Sequence, residues 1–309
     1  MTRRLPLSTD GVEALGRFSR IRLVAIDIDG TLLAHPSSEV AEVIAGLRRS
    51  LAHYRRSVVL TIATGRAYAG AQPVLERLEL PKKTPVILYN GAVTCAADGT
   101  SFVRLFSVDC ASVRIVVELA LAARMTPLVY DPKLWFGLAD RSLPTPPPIA
   151  ERVIGFAAVA PNLPREFNGL EVEWRTSSAD VPTSAAAIVI PTPHGPSCEL
   201  VAALSANPGV TVTSSSNAYL EVRPFGANKG AALSLLASEC SLQPEQVLAI
   251  GDNDNDVEML KWAGCSVAVA NSTHQAIAAS DYLADGPAGE GVVETLRLLY
   301  DARRHRLRL

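Results

Sequence analysis

Three nearly continuous apolar runs early in the chain predict buried strands. They lie at 23–28, 58–63 and 86–89, and a strand that is apolar at almost every position is typical of a parallel sheet covered on both faces. Between the first two runs, apolar residues recur at helical spacing behind a possible N-cap at Ser37-Ser38; they are Val40, Val43, Ile44, Leu47 and Leu51. Strands that alternate with helices predict a right-handed parallel α/β sheet.

The same alternation returns near the C-terminus, after a stretch of different texture. Helices are expected over 231–240 and 255–262, and strands over 246–250 and 266–270. From about 93 to 216 the chain instead contains proline-rich breaks and short mixed segments, which indicate a separate α+β unit. The expected fold class is α/β, with a Rossmann-like parallel sheet core formed by residues 1–92 and 216–309 and an inserted α+β domain over 93–215.

Length and composition favour two domains and exclude some classes of partner. A chain of 309 residues is long for a single core. Its net charge of -2 provides no overall basic field for nucleic acid. The five cysteines form no CxxC pair, which suits a reducing cytosol, and no apolar run reaches the roughly 18–20 residues of a membrane span. We therefore expect a cytoplasmic protein that binds neither nucleic acid nor a membrane.

Acidic residues follow two of the predicted strands. Asp27 and Asp29 end the first strand, and the acidic segment 252–256 follows the strand at 246–250. In an open parallel sheet the carboxyl ends of the strands share one edge, where ligands bind. Carboxylates gathered there would repel one another unless a hard cation such as Mg²⁺ lay among them. Lys229, at the start of a predicted helix, would supply a further positive charge for a phosphoryl group.

Each of these signals has an ordinary structural interpretation when it stands alone. The segment Asp27–Thr31 could be a simple turn, and Thr64-Gly65-Arg66 could be a plain strand-to-helix connection. The acidic segment 252–256 could be a calcium loop, but the glycine and distant glutamate of an EF-hand are absent at the required offsets. The combination, in this chain order, favours a phosphoryl-transfer site.

Taken together, the four segments resemble the haloacid dehalogenase superfamily of phosphotransferases. DIDGT, TGR, Lys229 within GANKG and GDNDNDVEML occur in the order of that superfamily's four motifs. NGA at 90–92 and VAVANS at 267–272 are similar to its Cof-type branch. The resemblance extends over residues 20–92 and 216–300, whereas the insertion resembles a cap in its placement alone.

The resemblance implies a role for each motif residue. Asp27 would be the nucleophile and a metal ligand, and Asp29 the general acid/base whose backbone carbonyl also reaches Mg²⁺. Asp252 would be the third protein ligand, and Asp256 would hold metal-bound water or orient Lys229. The phosphoryl oxygens would be bound by Ile28, Thr64, Gly65, Lys229 and Asn255. Asp254 is expected at the surface, and Arg66 is expected to brace the core near the hinge.

The spacing of the motifs locates the cap. Only 37 residues separate Asp27 from Thr64, whereas 165 separate Thr64 from Lys229, which resembles members with a type-two α/β cap. Such a lid would exclude water and add specificity. An aromatic residue of the cap could stack on a ring-shaped substrate, although a core role is the simpler interpretation for each; the candidates are Tyr130, Trp135, Phe136 and Trp174.

The function implied is Mg²⁺-dependent hydrolysis of a small phosphomonoester through an aspartyl-phosphate on Asp27. A sugar phosphate is the default substrate, and a phosphorylated flavin precursor or pyridoxal phosphate is an alternative. A phosphosugar mutase built on the same core is a second hypothesis. A non-catalytic phosphate-binding module, in which the same residues hold phosphate without turnover, is a third.

Overall fold

The computed structural model describes residues 2–6, 12–33, 39–52, 58–133, 150–157, 166–167, 170–216 and 219–306. The strands in this part of the chain are β1 (Arg3–Arg4), β2 (Leu23–Ile26), β3 (Val59–Ile62), β4 (Pro85–Leu88), β5 (Val93–Ala96), β6 (Phe102–Leu105), β7 (Val108–Asp109), β8 (Leu128–Lys133), β9 (Ala150–Phe156), β10 (Glu166–Phe167), β11 (Leu170–Arg175), β12 (Ser184–Ala185), β13 (Ala187–Pro191), β14 (Val210–Ser216), β15 (Tyr219–Pro224), β16 (Val247–Gly251), β17 (Cys265–Ala268) and β18 (Tyr282–Leu283). The α-helices are α1 (Val12–Arg20), α2 (Glu39–Ala52), α3 (Tyr68–Arg77), α4 (Cys110–Ala122), α5 (Cys198–Ser205), α6 (Lys229–Glu239), α7 (Val257–Trp262), α8 (His274–Ala279) and α9 (Gly289–Arg306).

Backbone contacts divide the chain into two units. The first comprises Met1–Gly65, Gln72–Gly91 and Asn228–Leu309, and the second comprises Arg66–Ala71 and Ala92–Ala227. The sequence places the return to the core at 216, whereas the first unit resumes at Asn228. The difference arises because β15 pairs with β13 and β14 of the second unit. The alternating pattern of 219–224 indicates a strand but does not say which sheet it joins.

The first unit is built on a six-stranded parallel sheet in the order β1-β18-β17-β16-β2-β3. The side chains of β2, β16 and β17 are buried at every position, as expected for strands covered on both faces. A parallel bridge between Ala63 and Ile87 places β4 beside β3. The predicted parallel α/β core is therefore confirmed, and the chain leaves adjacent strands of this sheet at one common edge.

The N-terminal residues, for which the sequence predicts nothing, add an edge strand to this sheet. β1 pairs in parallel with β18, and α1 packs against α9. The Arg17 guanidinium donates to the Gly264 carbonyl and to Asp281 Oδ2, 3.1 Å away. It also lies over the Tyr282 ring, 5.8 Å from the ring centroid. A two-residue Arg-Arg strand has no hydrophobic pattern, so only its backbone pairing reveals it.

The second unit contains a seven-stranded mixed sheet in the order β10-β11-β9-β8-β13-β15-β14. The helices α4 and α5 cover one face, where they enclose an apolar core with side chains such as Val129, Ile188 and Val222. We call the opposite face, which carries the alternate side chains Tyr130, Tyr219 and Arg223, the tyrosine face. The predicted N-cap at Ser37-Ser38, the proline-rich segment 144–148 and the aromatic candidates at 135 and 136 lie outside the described residues.

No helix in the described ranges combines the length and the apolar character needed to cross a membrane.

The contacts of Arg17 predict that it stabilises the N-terminal attachment. Arg17→Gln should lower the free energy of unfolding by about 1 kcal/mol, since it removes a charge-assisted hydrogen bond and a cation–π contact. Arg20→Gln is the matched control, because Arg20 is exposed on the same helix. Urea unfolding of the three proteins measures the difference, and equal stability of both variants would contradict the prediction.

Candidate active site

Three buried carboxylates meet at the carboxyl edge of the parallel sheet. Asp27 follows β2, Asp252 follows β16, and Asp256 ends the short 3-10 turn 254–256. Each offers one oxygen, and these oxygens all lie within 4.8 Å of one another. Ile26, the last residue of β2, pairs with Ile250, one residue before the end of β16, so Asp27 and Asp252 leave adjacent strands at the same edge. The sequence predicted this meeting for Asp27 and Asp252.

The Lys229 ammonium lies between two of these carboxylates. Its Nζ is 2.6 Å from Asp27 Oδ1 and 2.7 Å from Asp256 Oδ1, and its side chain is fully buried. Lys229 is the first residue of α6, whose free N–H groups are capped by Asn228 Oδ1 at 2.7 Å from the Ala231 N–H. Burial alone would lower the pKa of Lys229, but Asp256 and Asp27 outweigh burial and raise it. The ammonium therefore stays charged.

The carboxylates hold more negative charge than one lysine neutralises. Burial raises the pKa of Asp27 well above its usual value; Lys229 opposes the shift, while Asp256 and Asp252 add to it. Burial also raises the pKa of Asp252 to about 6, against the opposing hydrogen bond from Thr31 and with a further contribution from Asp256. Such carboxyls bind either protons or a cation.

Two carboxylate oxygens in the cluster point to where a cation would bind. Both oxygens of Asp256 accept hydrogen bonds. Oδ1 accepts from Lys229, and Oδ2 accepts from the N–H groups of Asp252 and Asn253 at 2.9 and 3.0 Å. Asp252 Oδ1 accepts the Thr31 hydroxyl at 2.6 Å. Within the described ranges, Asp27 Oδ2 and Asp252 Oδ2 accept no hydrogen bond. Two free hard oxygens fit Mg²⁺, which takes few protein ligands.

Glycine is required beside this pair of oxygens. Gly30 has φ +84°, and a Cβ on it would lie 2.2 Å from Asp252 Oδ2. A larger residue would therefore have both a strained backbone and a steric clash with the carboxylate. Thr31, the last residue of the same motif, is fully buried and holds Asp252 in place. The sequence analysis assigned Thr31 no role, although its position directly after Gly30 was the available signal.

The residues expected to bind the phosphoryl group divide into buried and partly exposed positions. Ile28 and Thr64 are fully buried. The Ile28 N–H donates no hydrogen bond to any acceptor in the described part of the chain. Gly65 lies against the Asn90 amide, and a Cβ added to Gly65 would be 3.0 Å from Asn90 Nδ2. Asn255 Nδ2 donates to Asn90 Oδ1 at 3.0 Å, and Asn255 Oδ1 is buried without a partner.

Two further acidic residues lie at the rim. The Asp29 side chain is exposed and is outside the buried cluster of three carboxylates; its effect is one of the causes that raise the pKa of Asp252. Asp254 is exposed, as expected, and its oxygens accept from Thr273 Oγ1 at 2.8 Å and Gln275 Nε2 at 3.1 Å. Asp254 thus ties the acidic segment to the start of α8 and does not face the cluster.

Asn90 connects several of these segments, although the sequence analysis gave it no individual role. Its backbone is left-handed, with φ 52° and ψ 35°, and its N–H donates to the Thr64 carbonyl at 3.0 Å. The next residue, Gly91, has φ +98°, and a Cβ there would lie 2.2 Å from the Asn228 carbonyl oxygen. Asn90 therefore joins Thr64 to Asn255 directly behind the start of α6. The Asn-Gly pair after a strand was the signal for this conformation.

Substitution at Asn90 should separate its backbone role from its side-chain role. Asn90→Gly should unfold near the wild-type urea midpoint, because glycine adopts a positive φ freely, but should raise KM for p-nitrophenyl phosphate several-fold because Asn255 loses its partner. Asn90→Ala should show the same KM and lose about 1 kcal/mol more stability. If both variants keep the wild-type KM, the amide does not position Asn255.

Comparison with known proteins shows the family of this chain. The sequence profile of the haloacid dehalogenase-like hydrolases matches residues 24–296. YxeH of Bacillus subtilis (strain 168), provisionally named a phosphatase, is 25% identical over 289 residues, which are 91% of this chain and 99% of that protein.

Solved structures show the same fold. A haloacid dehalogenase-like hydrolase from Bacteroides thetaiotaomicron aligns with TM-score 0.68 and 21% identity over 90% of this chain and 98% of its own. The HAD subclass IIB sugar phosphatase BT4131 aligns with TM-score 0.65 and 16% identity over 93% and 100%. The resemblance carried by the four motifs and the expected enzyme class, a phosphatase, are thereby confirmed, and the chain belongs to the haloacid dehalogenase-like hydrolase family.

Proposed function

We propose that this protein is a Mg²⁺-dependent phosphomonoester hydrolase that acts on a small metabolite through an aspartyl-phosphate on Asp27. The observation that carries the proposal is the Asp27 carboxylate, buried at the sheet edge with Oδ1 held by Lys229 and Oδ2 free of hydrogen bonds in the described structure. An oriented, desolvated carboxylate is suited to nucleophilic attack.

The reaction would proceed in two steps. In the first, a carboxylate oxygen of Asp27 bonds to phosphorus as the bond from phosphorus to the substrate oxygen breaks. Asp29 donates a proton to that leaving oxygen. In the second, water attacks phosphorus, Asp29 accepts a proton from the water, and the Asp27–phosphorus bond breaks to release inorganic phosphate. The exposure of Asp29 suits a group that must exchange protons with solvent between the steps.

Several groups would bind the phosphoryl oxygens. Lys229 supplies positive charge beside Asp27. The Ile28 N–H has no acceptor among the described residues, so it can donate to a phosphoryl oxygen. Thr64 and Gly65 would contribute from the neighbouring strand end. Asn255 Nδ2 donates one hydrogen to Asn90 Oδ1, and its second hydrogen would be donated to a phosphoryl oxygen.

The donor set supports Mg²⁺ as the cofactor. The ligands would be Asp27, Asp252 and the backbone carbonyl of Asp29, with Asp256 holding Lys229. When bound, the ion would neutralise negative charge on the phosphoryl oxygens and on the clustered carboxylates.

A sugar phosphate is the substrate class that we favour. The fold similarity to BT4131, described as a sugar phosphatase, supports it. A partial match at 41% identity over 75 residues to a phosphoglycolate phosphatase of Methanoculleus marisnigri also supports a small phosphorylated metabolite. The second unit would serve as the specificity cap, and the protein would act in the cytoplasm without nucleic-acid or membrane partners.

Phosphate release from a panel of phosphomonoesters tests the proposal. Wild type should release phosphate with Mg²⁺ and lose activity in EDTA. Asp27→Asn should lose nearly all turnover, because an amide is a poor nucleophile and a poor ligand. Asp254→Asn is the matched control, because Asp254 lies outside the cluster, and it should keep wild-type activity. Substantial activity in Asp27→Asn would remove Asp27 from the nucleophilic role, and release that required a bisphosphate activator would favour a mutase.

Metal affinity should fall at acid pH. The pKa of Asp252 is raised to about 6 in the absence of metal, so below that pH Mg²⁺ must displace a proton, and its apparent affinity should fall by about tenfold per pH unit. The stability of the metal-free protein should change in the opposite direction. Its folded state binds this proton more tightly than the unfolded state does, so its free energy of unfolding should rise as pH falls through about 6. Calorimetric titration between pH 5 and 8 measures both the affinity and the protons released. An affinity that is flat over this range would contradict the shift.

A further inference from the structure

One arginine in the sheet of the second unit is buried without a counter-charge. Arg223 lies on β15 with 5% of its surface exposed. Its Nε and Nη1 atoms are buried and donate no hydrogen bond in the described part of the chain. Removing a cation from water without a partner is costly, so buried charges are normally paired. The arrangement therefore calls for an anionic group.

Other arginines of the same sheet show the usual solution. Arg152 is 2.6 Å from Asp131, and Arg175 is 2.8 Å from Glu173. Their side chains are 28% and 40% exposed, so both could also rely on water. Arg223 is far more buried than either, yet it forms no ion pair with a described carboxylate. Arg223 is thus the most buried of these three arginines and the one without a carboxylate partner among the described residues.

The position of Arg223 on the sheet leaves small neighbours beside it. Val222 packs into the apolar core under α4 and α5, so Arg223 lies on the tyrosine face. Its cross-strand partner on β14 is Thr211. On the other side, extension of the β13–β15 register places Ala187 next to it, and Ala187 in turn pairs with Tyr130 on β8. Short side chains therefore lie beside Arg223 on both neighbouring strands, and Glu221 lies on the same face two residues earlier along β15.

Aromatic rings lie on the same face. Tyr130 contacts Phe167 with ring centroids 6.5 Å apart, and Phe167 contacts Tyr219 at 6.2 Å with edge-to-face geometry. The Trp174 ring lies against Gly155, where a Cβ would be 2.4 Å from it. Aromatic surface beside a cation is typical of a small-molecule site, in which apolar walls surround a few convergent polar groups.

We propose that Arg223 is the anchor of an oxyanion-binding site on the tyrosine face of the second unit, which takes a carboxylate or phosphate group of a small metabolite. The planar guanidinium offers parallel N–H donors that match the two oxygens of either group. The anion could be a second charged group of the substrate, and this version of the proposal rests on the proposed function. The anion could equally be a separate small effector, and this version does not rest on the proposed function.

Anion binding is measured first, and it needs no catalysis. Malonate is titrated into the full chain, and its Kd is obtained by calorimetry for wild type, Arg223→Gln and Arg175→Gln. The last is the matched control, since Arg175 is a paired arginine of the same sheet. We expect Arg223→Gln to bind malonate at least tenfold more weakly, with Arg175→Gln unchanged. An unchanged Kd in Arg223→Gln overturns the proposal, whatever the phosphatase assay shows.

Substrate pairs then distinguish the two sources. KM is compared for 6-phosphogluconate and glucose 6-phosphate, which differ in a carboxylate at one end. A rise of about tenfold in KM of Arg223→Gln for 6-phosphogluconate alone assigns the anion to the substrate. Weaker malonate binding with both KM values unchanged assigns it to a separate effector. Both results support the site.

Thermal unfolding separates a ligand-binding arginine from a structural one. In buffer without polyvalent anions, Arg223→Met should unfold at a temperature equal to or above that of wild type, because an unpaired buried cation has been removed. Malonate should then raise the unfolding temperature of wild type and leave that of Arg223→Met unchanged. A large loss of stability in Arg223→Met without malonate, together with an unchanged malonate response, would show that the guanidinium is structural.

Discussion

The carboxyl edge of the parallel sheet depends on one interaction, the ion pairs that the buried Lys229 ammonium forms with Asp27 and Asp256. It joins the end of β2, the start of α6 and the turn 254–256, which are far apart in sequence. A fully buried ammonium is tolerated only because both carboxylates lie within hydrogen-bonding distance. Since Asp256 also accepts the N–H groups of Asp252 and Asn253, the same contact fixes the backbone from which the third carboxylate projects.

The remaining negative charge at this edge follows from the same arrangement. One ammonium faces three buried carboxylates, so the pKa values of Asp27 and Asp252 are raised and the cluster favours a cation or protons. Hydrogen bonds within the protein occupy both oxygens of Asp256 and one oxygen each of Asp252 and Asp27. The oxygens left over belong to residues that follow adjacent parallel strands, so the sheet register sets their separation. Charge and topology together define the position of the free carboxylate oxygens.

The second unit has its own core and a different distribution of polar groups. The helices α4 and α5 bury one face of the mixed sheet, whereas the tyrosine face carries aromatic rings and the unpaired Arg223. Tyr130 and Arg223 are buried there, with 3% and 5% of their surface exposed.

The amino-acid sequence by itself determined the parallel core, the family and the meeting of Asp27 with Asp252. Continuous apolar runs report burial on both faces, and parallel topology then brings the strand ends together. The tertiary structure alone decided the left-handed Asn90 bridge, the Thr31 hydrogen bond, the pairing of β1 with β18 and the unpaired state of Arg223. Local pattern encodes which residues are buried, but a partner distant in sequence is chosen by register and side-chain orientation, which exist only once the chain has packed.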